Sequence, residues 1–198
     1  MKPIRIVTPP LGANAYLLGN ALIDVGGDTQ FILDRLSEKL REVDYLFLTH
    51  AHFDHATAAA DVQKIGCKVV MHQQEYELIK SNMSQFFARI EPDILVEGNE
   101  KFEVGEFTLK IIHTPGHSAG SICLYEPEQK WLFSGDTVFP HGSFGRVDLP
   151  GGNALQLVES LQKLSEMDVE MIYPGHDDPV ENGSHIFDSL KIAREFLI

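Results

Sequence analysis

The chain has 198 residues, one good-sized domain that would leave two marginal cores if split, and its 43% hydrophobic and 23% charged content is ordinary for a globular protein. Sixteen Lys plus Arg against twenty-nine Asp plus Glu leave a net charge of −13 at pH 7; with no basic cluster to offset it, nucleic acid is excluded as a partner. No stretch approaches eighteen uninterrupted apolar residues, so a transmembrane helix and a membrane partner are excluded too.

Two cysteines, Cys67 and Cys123, are too few for a disulfide framework or a thiolate zinc site. With no apolar leader after Met1-Lys2-Pro3-Ile4-Arg5, the cytoplasm is the expected location. Both cysteines read as buried small hydrophobes.

Short strands are expected at 4–8, 14–18 and 21–24, with Gly19-Asn20 turning tightly between the last two. Gly26-Gly27-Asp28 breaks the pattern; Phe31, Ile32, Leu36 and Leu40 then recur at helical spacing behind an Asp28 or Thr29 cap. The apolar run Tyr45-Leu46-Phe47-Leu48 predicts a buried strand that delivers Thr49 and His50 to its C-terminal end. A helix over 56–65 ended by Gly66, a strand at 68–71 and a helix over 73–80 follow. Residues 81–98 mix Phe86-Phe87 with charges and Pro92, and read as a lid or loop-rich insertion.

Strands at 107–113, 121–125 and 130–134 come next, then a helix over 153–164 with Leu155, Val158, Leu161 and Leu164 on one face. A strand at 171–173 and a helix over 184–196 complete the chain. Strand runs at both ends, separated by helices, predict an α/β protein with two sheets sandwiched between helices, as a single domain over 1–198.

Nine histidines are unusual, and three of them fall within the six residues His50-Ala51-His52-Phe53-Asp54-His55. In an extended turn His50 and His52 point the same way, Asp54 continues that row, and His55 swings to a neighbouring point as a helix begins. Imidazole nitrogen and carboxylate oxygen are donors for zinc-like ions at about 2.0–2.2 Å, so this turn supplies half of each of two adjacent sites. The other halves have candidates at later strand ends: His117 in Thr114-Pro115-Gly116-His117-Ser118, Asp136 in Ser134-Gly135-Asp136-Thr137, and His176 in Tyr173-Pro174-Gly175-His176. Each turn alone is weak as a signal, but four strand-end loops with metal-type donors are not explained by folding needs.

These motifs resemble the metallo-β-lactamase superfamily. The resemblance implies a four-layer αββα sandwich with His50, His52 and His117 on one metal, Asp54, His55 and His176 on a second, and Asp136 bridging. It implies two divalent ions per chain, zinc foremost, with iron or manganese compatible with the same donors. Residues 142–152, from Gly142 through Gly145-Arg146-Val147-Asp148 to Pro150-Gly151-Gly152, are similar to the small glyoxalase II-like group.

That group implies a metal-dependent hydrolase that cleaves S-lactoylglutathione or a similar acyl thioester with a metal-bridging hydroxide as nucleophile, oriented by Asp54. Arg146 is a candidate for a substrate carboxylate, and equally for a structural pair with Asp148. The chain ends about twenty residues after His176, where longer glyoxalase II enzymes have a helical region that grips glutathione. Phe139, Phe144 and Phe86-Phe87 are candidates for a substitute wall.

Other readings share the same donors: a mononuclear-iron persulfide dioxygenase, a lactonase or phosphodiesterase, and a non-catalytic binding protein. His113 reads as a structural strand-end residue or a partner to a ligand, and His72, His141 and His185 as solvent-facing or locally bonded. Nothing in the sequence sets the oligomeric state.

Overall fold

In the structure, a computed structural model that describes residues 2–81 and 86–198, strand side chains alternate between adjacent cores, and that alternation builds the layers. One sheet runs in the order β1 (Ile4–Thr8), β2 (Ala13–Leu18), β3 (Ala21–Ile23), β4 (Tyr45–Phe47), β5 (Lys68–His72) and β6 (Ile94–Val96). Its first three strands pair antiparallel and its last four parallel. The other contains β7 (Lys101–Val104), β8 (Phe107–His113), β9 (Ile122–Glu126), β10 (Trp131–Gly135), β11 (Met171–Pro174) and β12 (Val180–Glu181), in reverse order across the sheet. It is antiparallel except for β10 beside β11.

On β10, Trp131 and Phe133 face the core between the sheets, with Tyr16, Phe47 and Leu109, while Leu132 faces the opposite way. There it meets α5 (Ala154–Ser165) and α6 (Ser184–Phe196) through Leu157, Leu161 and Ile186. The helices α1 (Thr29–Leu36), α2 (Phe53–Ala56), α3 (Ala59–Lys64) and α4 (Gln73–Ser81) contribute to a third core on the outer face of the first sheet, around Leu22, Leu46 and Val69. Two mixed sheets between helices form the α/β, αββα sandwich expected from the sequence. No helix among the described residues is long and apolar enough to cross a membrane.

Four expectations change. The helix expected over 56–65 is two helices, because the main chain of Val25 inserts beside it: Val25 N–H donates to His55 O and Val25 O accepts from Ala58 N–H. Both are groups a continuous helix would use internally. On α5 the buried stripe runs through Leu157, Val158, Leu161 and Leu164; Leu155 points outward and is 61% exposed. Asn153 caps that helix by accepting from Gln156 N–H.

The strands β6, β7 and β12 are additional, short and at or near sheet edges. Of the segment 81–98, residues 82–85 lie outside the described residues. Phe86, Phe87 and Ala88 run antiparallel to the histidine turn, with Phe53 N–H donating to Phe86 O and Ala88 N–H to Ala51 O.

The C-terminal ends of β4, β10 and β11 meet at one edge of the sandwich, where the two sheets are stitched together. Ile122 N–H donates to Thr49 O at 2.8 Å, and Asn14 N–H to Gly175 O at 2.7 Å.

Candidate metal centre

The strand β4 ends at Phe47, and Leu48 N–H still pairs with Val70 O, so Thr49 and His50 emerge at the stitched edge. His52, in extended backbone, precedes α2, which places Asp54 and His55 in the first turn of that helix. Asp54 therefore leaves the row of His50 and His52 and joins His55. His117 lies in the loop after β8, Asp136 directly after β10, and His176 directly after β11.

All seven candidate donors converge, and their atoms sort into overlapping groups whose members lie within 4.8 Å of one another. These are His50, His52 and His117; His50, His55 and Asp136; and Asp54, His55 and His176. In the first group, His117 Nε2 is 2.9 Å from His52 Nδ1 and 3.3 Å from His50 Nε2. In the last, His176 Nε2 is 3.2 Å from His55 Nε2 and 3.3 Å from Asp54 Oδ2. Asp136 stands between them: Oδ1 is 3.3 Å from His55 Nε2, and Oδ2 is 3.6 Å from His117 Nε2 and 3.7 Å from His176 Nε2.

The outward ring nitrogens decide what the inward ones can be. His117 Nδ1 faces Arg146 O at 2.8 Å, and a carbonyl only accepts, so Nδ1 carries a proton and Nε2 is the nitrogen left to bind an ion. Thr49 gives its hydroxyl proton to Asp24 Oδ2 at 2.7 Å and accepts from His50 Nδ1 at 3.0 Å. His55 Nδ1 donates to the same Asp24 oxygen at 3.0 Å. Inward lone pairs this close repel one another unless a proton or a metal cation lies among them.

A tetrahedral ion with metal–nitrogen distances of about 2.0–2.1 Å spaces its donors by about 3.3 Å, close to the separations found. Two buried polar atoms of the cluster, His52 Nε2 and Asp136 Oδ1, have no hydrogen-bond partner among the described residues. That carboxylate oxygen, 3.3 Å from His55 Nε2, lies inside the cluster, so a divalent cation fits these donors on distance and charge.

Electrostatics divide the cluster. Burial and the neighbouring imidazoles push His50 well below the usual histidine range, and burial with His117 pushes His52 down to about 3. Burial also opposes charge on His55, but Asp136 and Asp24 outweigh it and hold that imidazole well above its ordinary value. Asp136 would be neutralised by burial alone; His55, His117 and His50 keep it well below the carboxylate range.

Two glycines allow the loops to close in. A Cβ on Gly175 would lie 2.1 Å from Asp136 Oδ1, and one on Gly145 2.0 Å from Asp136 O.

The sequence reading missed two carboxylates. Asp24, just past β3 in left-handed backbone, also accepts from Thr49 N–H and so holds both His50 and His55 in place. Glu75, fully buried in the first turn of α4, accepts from Ala51 N–H, Gly120 N–H and the Ser118 hydroxyl, joining the histidine turn to the His117 loop. An acid ending an apolar strand before Gly-Gly was a usable signal for Asp24; nothing local separates Glu75 from Glu77.

Of the other residues considered, Arg146 forms a two-point ion pair with Asp148, Nε to Oδ1 at 2.7 Å and Nη2 to Oδ2 at 2.6 Å. Phe139 and Phe86 line a cavity beside the donors, Phe87 stacks on His52, and Phe144 packs against the α5–α6 core. His113 stacks on His72 with ring centroids 3.8 Å apart and faces Ala119 O at 3.0 Å through Nε2; His72 is buried and locally bonded, its Nδ1 accepting from Gln74 N–H. His185 accepts from His141 N–H. Cys67 and Cys123 are buried and unpaired.

A model of the Metallo-beta-lactamase superfamily matches residues 8–176. A protein of Bacillus subtilis (strain 168) named probable metallo-hydrolase YqgX is 35% identical over 191 residues, covering 89% of this chain and 90% of its own. The hydroxyacylglutathione hydrolase of Bartonella henselae is 32% identical over 151 residues, which cover 76% of this chain and 55% of that enzyme.

Among solved structures, the BLEG-1 B3 metallo-beta-lactamase superposes with a TM-score of 0.78 at 30% identity, covering 96% of this chain and 97% of its own. The protein TTHA1623, solved in a di-iron-bound form, gives a TM-score of 0.73 at 28% identity, with 97% of each chain covered. Sequence, fold and the convergence of His and Asp donors agree: the chain belongs to the metallo-beta-lactamase superfamily of metallo-hydrolases.

Proposed function

We propose that the protein is a dinuclear metal-dependent hydrolase that cleaves a thioester in the manner of glyoxalase II, with S-lactoylglutathione or a similar acyl thioester as substrate. The observation that carries this reading is a pair of donor triads with one carboxylate, Asp136, between them. In this reading His50, His52 and His117 would hold one ion and Asp54, His55 and His176 the other, with Asp136 placed to serve both. Zinc is the first choice, and iron or manganese suits the same donors. When bound, such a pair polarises a carbonyl oxygen and brings the pKa of water near 7.

The chain's own groups do the rest. Asp24, Thr49 and the Arg146 carbonyl bond the outer nitrogens of three imidazoles and so turn the inner nitrogens toward the centre, where His55 would give up its inner proton to an ion. Asp54, which lines the cavity, orients the attacking water by accepting its hydrogen bond. The departing thiol needs no dedicated acid, because its pKa near 8.5 makes the thiolate a tolerable leaving group at neutral pH. The likeness to a hydroxyacylglutathione hydrolase supports a thioester over other substrates of the same scaffold.

Metal analysis of the purified protein, paired with a panel of thioesters, lactones and phosphodiesters, tests this. Two ions per chain and thioester cleavage that Asp136→Ala abolishes are expected. One iron per chain with oxygen uptake on a persulfide overturns the reading, as does wild-type-like hydrolysis by Asp136→Ala.

A further inference from the structure

The cavity beside the donors has a volume of about 370 Å³, and its chemistry is lopsided. Among the described residues, apart from the candidate ligands and Gly145, its lining is Leu11, Phe53, Phe86, Phe139, Leu149 and Arg146. Five of those six side chains are apolar. Leu11 is 54% and Phe53 39% exposed, so their apolar surface lies open to a ligand.

The one charged group among the six is already balanced, since Arg146 gives two hydrogen bonds to the Asp148 carboxylate and holds it down to about 2. A glutathione carrier brings two carboxylates. A guanidinium that is paired already, in a chain of net charge −13, is a poor receptor for them.

Resting on the thioester reading above, we infer that the site selects thioesters with an apolar acyl group on a small carrier of low charge, and that Leu11, Phe53 and Phe139 set this preference. Water adds across the C–S bond of such a substrate to give a carboxylic acid and a thiol, and no further reactant is required. Size agrees: at about 30 Å³ per displaced water, 370 Å³ accommodates roughly twelve heavy atoms, enough for a thioester group and a chain of several carbons.

The test uses the metal-loaded protein and two series. Acetyl, butanoyl and hexanoyl thioesters of N-acetylcysteamine are compared with S-lactoylglutathione for kcat/KM. The matching non-hydrolysable thioethers are titrated by calorimetry. Both kcat/KM and affinity should rise about two- to four-fold per methylene buried, and Leu11→Ala, Phe53→Ala and Phe139→Ala should each flatten both slopes.

Flat slopes overturn the inference, as does a preference for S-lactoylglutathione over the hexanoyl compound. Thioethers that bind with the expected slope, while no thioester is hydrolysed, refute the reaction and leave the apolar selectivity supported.

Discussion

Replacing Glu75 with alanine removes one acceptor group that three donors share. Oε1 takes the Ala51 N–H at 2.8 Å, and Oε2 takes the Gly120 N–H at 2.9 Å and the Ser118 hydroxyl at 2.6 Å. A donor stranded in the interior costs about 1–3 kcal/mol, so three give a gross loss of roughly 3–9 kcal/mol. Burial, which pushes the Glu75 carboxyl above its ordinary pKa, is relieved by the same change and offsets part of that loss. A net destabilisation of about 3–5 kcal/mol is expected, the range for breaking a buried charged network.

Glu75→Gln keeps the shape and one acceptor but turns an amide N–H₂ toward a donor, for about 1–3 kcal/mol. Ala51 sits between His50 and His52, and Ser118 follows His117, so metal affinity should fall about 10–100-fold in the alanine variant. Denaturant titration with chelator present reads the packing, and competition with a chromogenic chelator reads the donors. A Glu75→Ala protein within about 0.5 kcal/mol of the parent and equal to it in metal affinity would refute the reasoning.

Two further changes probe other parts of the fold. Gly175→Ala places a methyl 2.1 Å from Asp136 Oδ1 and 2.8 Å from His55 Cε1, so bound metal should be lost while far-UV circular dichroism is retained; retention of metal contradicts the close approach. His72, lowered from 6.5 to about 4 by burial and by His113, stays neutral in the fold while the unfolded chain takes up a proton near 6.5. Stability should therefore decline as pH falls from about 6.5 to about 4, by roughly 2–3 kcal/mol. Urea midpoints for His72→Gln should show a shallower decline than the parent; an identical pH slope excludes His72 as its source.

Much of the fold was legible because strand runs such as Tyr45–Phe47 and Trp131–Gly135 are apolar on both faces, as strands between two cores must be. The short β7 was hidden because Lys101 and Glu103 point outward and leave only Phe102 and Val104 to mark a strand. The two-residue β12 shows no pattern apart from its pairing with Met171 and Ile172. The break between α2 and α3 comes from Val25, some thirty residues upstream, and no local propensity encodes it. In the site, the histidine turn and the two Pro-Gly-His turns declared themselves by residue type and spacing. Asp24 left only its place at the end of an apolar strand as a signal and Glu75 none, because their partners are mostly backbone amides and hydroxyls, which every sequence supplies.

The stitched edge has a consequence for how the protein comes apart. Every one of the donor groups takes members from both sheets: His50, His52, Asp54 and His55 from the first, and His117, Asp136 and His176 from the second. Cleavage near Gly105, in the turn between β7 and β8, would leave four donors on one fragment and three on the other, with none of the three groups intact on either. Recovery of tight ion retention on mixing such pieces thus becomes a direct gauge of whether the halves have re-engaged.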